Sequence, residues 1–387
     1  MTEIIKKKFS VDKSKWNLVN FEDVVIESRE IIKNDDLAKI KYIVGLEHLD
    51  SENYELKRFA DPEKPTTFRK RFLINDVLFG RRRAYLKKAA QAKFSGICSG
   101  DITVMRAKEN LSSELLPFIV NNDNFFDYAV KHSAGGLSPR VKFKDLAKYN
   151  VLLPPKEEQT KLAELFWSID KTTNCIECNI KSLNEYFFSL IEFFVKDTKN
   201  FINFADVKSE FFKGITNYNR EPGNLRLLPS GCIFPRKLKK ENIKNFYSTK
   251  KNDRLKKLIK GDILFNSGGV GTLGRSHFFN LKDGDYFSDS FVINLRIRDT
   301  EFINKFIYYI FQSKSIQKQI IQHTKGTTGI TSISKDGIDN FKIPKASIDI
   351  QKQLVKKLEK IESLIDLCYD NLETSKILKK LIINNLF

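Results

Sequence analysis

Two segments of the chain carry the same change of hydrophobic rhythm. In "LLPPKEEQTKLAELF", residues 152–166, and "FKIPKASIDIQKQLVKKL", residues 341–358, a strand-like apolar run passes through proline to a glutamine. Beyond it, apolar residues recur in steps of three and four. In the first copy these positions are Leu162, Phe166, Ile169, Thr173, Ile176, Ile180, Leu183, Phe187, Leu190 and Phe194, all apolar except Thr173. In the second they are Leu354, Leu358, Ile361, Ile365, Cys368, Leu372, Ser375, Lys379, Ile382 and Leu386, apolar except Ser375 and Lys379. A seam of this spacing over about five heptads predicts a coiled coil rather than an isolated surface helix. At about 1.5 Å rise per residue each helix is roughly 55–60 Å long. Pro154, Pro155 and Pro344 mark the starts, since proline cannot sit deeper in a helix. Copy two starts its helix two residues later after proline ("IPKASIDIQ" against "LPPKEEQ").

The segments ahead of these helices also match in order. "LVNFEDV" at Leu18–Val24 returns as "FINFADV" at Phe201–Val207, and "NDVLF" at Asn75–Phe79 returns as "GDILF" at Gly261–Phe265. "SGDITVMR" has its counterpart in "SDSFVINLR", "KHSAGG" in "QHTKGT", and "FKDLAKYNVLLPP" in "SKDGIDNFKIP". The chain is therefore one module present twice. Each module opens with short apolar runs broken by Gly, Asn, Asp and basic residues, which predict small strands and loops. A helical stretch, a Gly/Ser/Thr loop and a last strand complete it. The expected architecture is mixed α/β (α+β), with globular regions at 1–152 and 198–343 and long helices at 153–197 and 344–387. The simplest partner for each long helix is the other, antiparallel about a pseudo-two-fold axis, with the globular parts at opposite ends of a rod. Pairing of heptads between two chains is the alternative.

Composition narrows the partner. With 67 Lys and Arg against 48 Asp and Glu, the net charge is +19, which favours a polyanion such as nucleic acid or an anionic membrane surface. A basic composition common to a whole proteome would give the same charge. The start, "MTEIIKKKFSVDKSKW", lacks the apolar core of a signal peptide, and no apolar run is long enough to span a bilayer. Five cysteines in this long chain are expected to be reduced thiols of a cytoplasmic protein. Cys175 and Cys178 have metal-ligand spacing, but no second pair accompanies them, so no metal site is expected.

Gly269, Gly271 and Gly274 in "SGGVGTLGR" satisfy G-x-G-x-x-G. A dinucleotide site needs a helix directly after the third glycine, whereas "RSHFFNLKDGDYF" reads as strand, turn and strand. The loops around this point suit nucleic acid better. Copy one clusters Arg69, Arg71, Arg81, Arg82, Arg83, Tyr85, Lys87 and Lys88, with Arg140 further on. Copy two offers Arg236, Lys237, Asn266, Ser267, Arg275 and His277, with Lys325 and Thr327 further on. Arg bonds guanine edges in bidentate fashion, Asn reads adenine, and Lys and Arg neutralise phosphates. For any single residue a solvated surface role is the plainer account. No nucleophile–base pair, phosphate loop, zinc-protease motif or adenine-methyltransferase tetrapeptide is present. Glu157 and Glu158 sit where carboxylates compensate the positive end of a helix dipole. No catalytic residue is assigned.

The residues "WNLVNFEDV" with "FINFADV", "NDVLFGRRRAYLKKA", "GICSGDITV", "GDILFNSGGVGTLGR" and the two proline-to-glutamine helix starts together resemble the specificity (S) subunits of Type I restriction–modification systems. The resemblance covers essentially the whole chain. It implies that each globular region is a target recognition domain reading one half of a split site in double-stranded DNA. It implies that the helix pair fixes the spacing and docks two modification (methyltransferase) subunits. Those subunits would carry S-adenosylmethionine and methylate adenine, and restriction subunits would join to cleave; this chain would itself hold no cofactor and catalyse nothing. The dissimilar loops of the two copies predict an asymmetric site, and a prokaryotic cytoplasm is the implied location. A DNA-modifying enzyme with an unrecognised active site and a coiled-coil protein adaptor are the competing functions.

Overall fold

The structure, a computed structural model, describes residues 11–33, 40–61, 66–216, 223–247, 256–269, 271–282, 284–326 and 331–387. Two compact units are present, Met1–Glu177 with Asp370–Phe387, and Cys178–Tyr369. In chain order unit 1 contains β1 (Asn17–Asn20), α1 (Phe21–Val24), β2 (Val25–Ser28), β3 (Ile43–Val44), β4 (Lys70–Phe72), β5 (Val77–Gly80), β6 (Ala89–Gln91), β7 (Gly96–Cys98) and β8 (Ile102–Ala107). α2 (Leu116–Val120), α3 (Asp123–Lys131), α4 (Phe143–Leu146) and β9 (Asn150–Leu153) lead to the long helix α5 (Lys156–Asp197). Unit 2 has β10 (Phe201–Asn203), β11 (Ser209–Lys213), β12 (Leu225–Leu228), β13 (Ile233–Phe234), β14 (Lys237–Leu238), β15 (Lys244–Phe246), β16 (Ile263–Asn266), β17 (Ser276–Phe278), β18 (Tyr286–Ser288) and β19 (Val292–Ile297). It closes with α6 (Asn304–Phe311), α7 (Lys314–His323), α8 (Lys335–Asp339), β20 (Lys342–Pro344) and the second long helix, α9 (Ile348–Leu386).

The duplication is visible in the sheets. Unit 1 has sheets ordered β2-β8-β5-β6, β3-β7-β4 and β1-β9; unit 2 repeats the first and last as β11-β19-β16-β17 and β10-β20. It has a three-stranded sheet ordered β15-β12-β18, with its first rather than its last strand in the middle, and adds the hairpin β13-β14. The repeated "NDVLF" and "GDILF" runs supply β5 and β16, which lie between two neighbours and are buried at every position. That is why they read as continuous apolar runs. The residue before each aspartate has positive φ, +70° at Asn75 and +101° at Gly261, which Asn and Gly adopt at least cost. Asp76 then accepts from Leu73 N (2.8 Å) and is held by Arg106 of β8 through Nε and Nη2, both at 2.8 Å. The aspartate of one repeated segment is thus matched to the arginine of the other.

The glutamine at each helix start has a structural cause. Gln159 Nε2 donates to Asn110 O (3.1 Å) and Pro154 O (3.0 Å), while its Oε1 accepts from Ser112 N (2.7 Å). Gln351 repeats this with Glu301 O (2.7 Å), Ala346 O (2.9 Å) and Ile303 N (2.9 Å). Both side chains are buried and fully bonded, joining the first helical turn to the loop after β8 or β19. Each glutamine is the fourth residue of its helix, so the helix starts are alike; the length difference sits in the connection, because Pro344 ends β20 whereas Pro154 and Pro155 follow β9. Glu158 accepts from Trp16 Nε1 at 2.9 Å.

Both long helices contribute to the core of each unit. In unit 1 Phe166 shares a cluster with Ile382, Ile383 and Leu386, and its ring lies 4.9 Å from that of Phe118 on α2. The segments run antiparallel there, with Asp170 bonded to Lys379 at 2.6 Å and Glu177 to Lys376 at 2.7 Å. In unit 2 Phe187 and Ile191 share a core with Leu358 and Ile365, and Phe187 packs on Tyr309 of α6 at 5.6 Å. Of the expected seam positions, Phe166, Ile180, Leu354, Leu358, Ile361 and Ile365 are buried, and Leu162, Ile169, Ile176, Leu183 and Leu372 are half-buried. Their packing against α2 and α6 makes the seam more than a two-helix contact.

Candidate nucleic-acid interface

At the C-terminal end of β5 the chain leaves the sheet through Arg81 and Arg82. Around this exit lies an open groove of about 650 Å³, lined by Arg29, Arg69, Lys70, Arg81, Lys142 and Lys144, with Glu27 as its acidic residue. Gly100 and Phe143 complete the wall. The charge arises because the ends of β2 and β4, the β5 exit and the start of α4 converge here. Arg82 and Arg140 face each other across an antiparallel bridge at the same place. Asp101 bonds both, through Arg140 Nε at 2.7 Å and Arg82 Nη1 at 3.4 Å. The Arg140 bond, with further help from Arg82, holds the Asp101 carboxyl below the usual carboxylate range.

Unit 2 has a groove of about 290 Å³ at the same place. Backbone hydrogen bonds establish the equivalence. Arg81 N donates to Asp101 O (3.0 Å) as Ser267 N does to Phe291 O (2.8 Å); Val141 N donates to Arg81 O (3.0 Å) as Ile333 N does to Ser267 O (2.8 Å). The Arg82–Arg140 bridge corresponds to Gly268–Ser332. The lining changes from cationic to hydroxyl-rich, with Ser267, Ser290, Ser332 and Ser334 beside Lys213, Lys325 and an exposed Phe291.

The sequence-derived candidates separate into those at these grooves and those elsewhere. Arg69 and Arg81 line the first, Arg82 and Arg140 are bridged to each other next to Arg81 in the chain, and Ser267 and Lys325 line the second. Arg83 and Tyr85 are exposed near the β5 exit, and the exposed Arg71 on β4 lies 4.0 Å from Glu30. Lys87 pairs with Asp123, and Lys88 Nζ donates to Leu46 O at 2.8 Å. In unit 2, Arg236 N donates to Tyr308 Oη at 2.9 Å, while its guanidinium bonds Asn184 and lies over Phe187. Lys237 is exposed on β14, and Arg275 lies over the Phe234 ring at 4.4 Å. Asn266 is fully buried, its Nδ2 donating to Ser230 O at 3.0 Å. His277 is buried against Phe234 O at 3.1 Å, and burial lowers its pKa to about 4. Thr327 lies outside the described residues.

Arg29, Lys142, Lys144, Lys213 and Phe291 escaped the sequence reading, whereas Lys70 belongs to the basic run "RKRF". The signal available for Lys142 and Lys144 was "VKFKDLAKYN", three lysines between the loop and the last strand, of which the first two line the groove. Gly269, Gly271 and Gly274 all have positive φ and lead into strand β17, not a helix. Among the described residues no group of three or more His, Cys, Asp or Glu is arranged to hold a metal ion, and no helix is long and apolar enough to cross a membrane.

The sequence matches the family described as Type I restriction modification DNA specificity domain twice, over residues 13–185 and 187–374. The chain belongs to this family. The two matched stretches coincide with the two modules, so the repeat is a repeat of the family domain. The Type I restriction enzyme EcoDI specificity subunit of Escherichia coli is 27% identical over 97 residues, 25% of this chain. That alignment spans 21% of the E. coli protein, about a fifth of its length. Two solved structures share the fold over 98% of both chains at a TM-score of 0.60. They are the Type I restriction-modification S subunit from M. genitalium, 14% identical, and a chain solved in work on complex assembly and conformational transition of the type I R-M system, 18% identical.

Proposed function

We propose that this chain is the non-catalytic DNA specificity subunit of a Type I restriction–modification complex, each unit reading one half of a bipartite, asymmetric site in double-stranded DNA. The observation that carries this is a family domain present twice, with a groove at the same backbone position in both copies and different chemistry in each. Arg and Lys in the first groove suit phosphate neutralisation and guanine edges; the serines of the second suit shorter hydrogen bonds to bases or phosphates. α5 and α9 set the spacing between half-sites and dock two modification subunits, which bring S-adenosylmethionine. Restriction subunits join the same complex, in a prokaryotic cytoplasm.

Genome-wide mapping of methylated adenine in cells holding this chain and its modification partner tests the reading. A split motif with a fixed spacer is expected, and it should vanish when the chain is deleted. Methylation without a split motif, or methyl transfer by the purified chain alone, overturns it.

A further inference from the structure

We infer that Arg82 and Arg140 form a two-guanidinium fork in unit 1 that reads a guanine edge, and that Asp101 is the residue that positions it. The inference rests on the proposed function and goes further, naming the base and the residues that select it.

Three observations converge. The bridge between Arg82 and Arg140 places two guanidinium groups side by side on neighbouring backbone segments. One carboxylate ties both, with Arg140 Nε at 2.7 Å and Nη2 at 3.3 Å, and Arg82 Nη1 at 3.4 Å. Arg82 Nη2 also donates to Ser138 Oγ at 3.1 Å, fixing its plane. Yet the two side chains remain 39% and 42% exposed, so each keeps donors free to face a ligand. A guanidinium held in one orientation loses less entropy on bonding, and its planar donors match the paired O6 and N7 acceptors of guanine.

Phosphate is the rival acceptor, and the second module argues against it. At the equivalent positions unit 2 has Gly268 for Arg82, Ser332 for Arg140 and Phe291 for Asp101. Both modules face the same sugar-phosphate backbone, so an anchor to phosphate would serve both alike. Chemistry that differs at matched positions fits the part of the ligand that differs, which is base sequence.

The test uses the chain assembled with its modification subunits and a randomised pool of duplex DNA, from which bound sequences are read. The wild-type complex should select a split motif with guanine at a position in one half-site. Arg82→Lys and Arg140→Lys keep the charge but remove the planar fork, so each should weaken preference for that guanine roughly tenfold and leave the other half-site unchanged. Asp101→Asn should weaken the same preference, and Asp101→Glu should restore most of it. Equal melting temperatures among the variants separate positioning from a folding defect. Unchanged base preference in Arg82→Lys and Arg140→Lys overturns the inference, as does a uniform loss of affinity across all sequences with both half-sites still read. If the wild-type complex selects no split motif, the proposed function itself fails.

Discussion

The Asp262 carboxylate grips the Arg296 guanidinium in bidentate fashion, Oδ1 to Nε at 2.7 Å and Oδ2 to Nη2 at 2.8 Å. Asp262 is fully buried and the Arg296 side chain is 11% exposed, so neither loses its partner to water. Removing the aspartate takes away the bidentate partner and leaves the guanidinium with the Lys257 carbonyl at 2.9 Å and Glu210 at 3.9 Å. Asp262→Ala should therefore cost about 3–5 kcal/mol, read as a lower urea midpoint for unit 2. The same substitution at Asp76 should act on unit 1 through Arg106.

The two buried glutamines make a second prediction. Gln159→Ala strands the Ser112 N–H, and Gln351→Ala strands the Ile303 N–H. Each should destabilise its own unit by about 1–3 kcal/mol. Hydrogen exchange should quicken at the start of α5 in the first variant and of α9 in the second. Exchange that changes in both units together would contradict independent anchoring.

Lys379 and Asp170 are both 7% exposed, and the ammonium lies 4.2 Å from the Tyr54 ring centroid. Lys379→Met alone should lower stability by about 3–5 kcal/mol, because the carboxylate stays buried without its cation. Combining it with Asp170→Leu should recover most of that loss in a thermal melt. A double variant no better than the single one would mean that the pair is not the source of the loss.

Acid should weaken unit 2 through His277. Burial lowers its folded pKa to about 4, below an unfolded value of about 6.5. Between these values the unfolded chain binds the extra proton, so stability rises with pH. The contribution is complete above about pH 6.5 and is lost as pH falls toward about 4, some 3 kcal/mol in all. Denaturation midpoints across this window should flatten in a His277→Asn variant that folds.

Lys142 and Lys144 line the basic groove without any reading geometry of their own. In the assembled complex each change to alanine should lower DNA affinity alike for all sequences. Each should also reduce the slope of log K against log salt by about 1. Lys88→Met, whose ammonium is held by the Leu46 carbonyl, should leave that slope unchanged.

Much of the architecture is legible in the linear chain, because its signals are local. Heptad spacing from Leu162 and from Leu354 marks the long helices. Repeated segments reveal the duplication, and glutamine after proline marks each junction. Asn75 and Gly261 announce the turn that starts the central strand. The groove is less legible. Runs such as Arg81–Arg83 with Lys87 and Lys88 show where cations concentrate, but not which of them have internal partners.

The sequence by itself determined the duplicated module, the paired long helices and the family, since periodicity and short motifs act between residues near one another in the chain. Tertiary structure decided which charges face the groove. Lys87 meets Asp123, Arg236 meets Phe187 and Arg140 meets Asp101 only after folding. Arg29, Lys70 and Lys142 gather from three separate segments. Charge pairing depends on distance in space, and the chain order alone does not contain that distance.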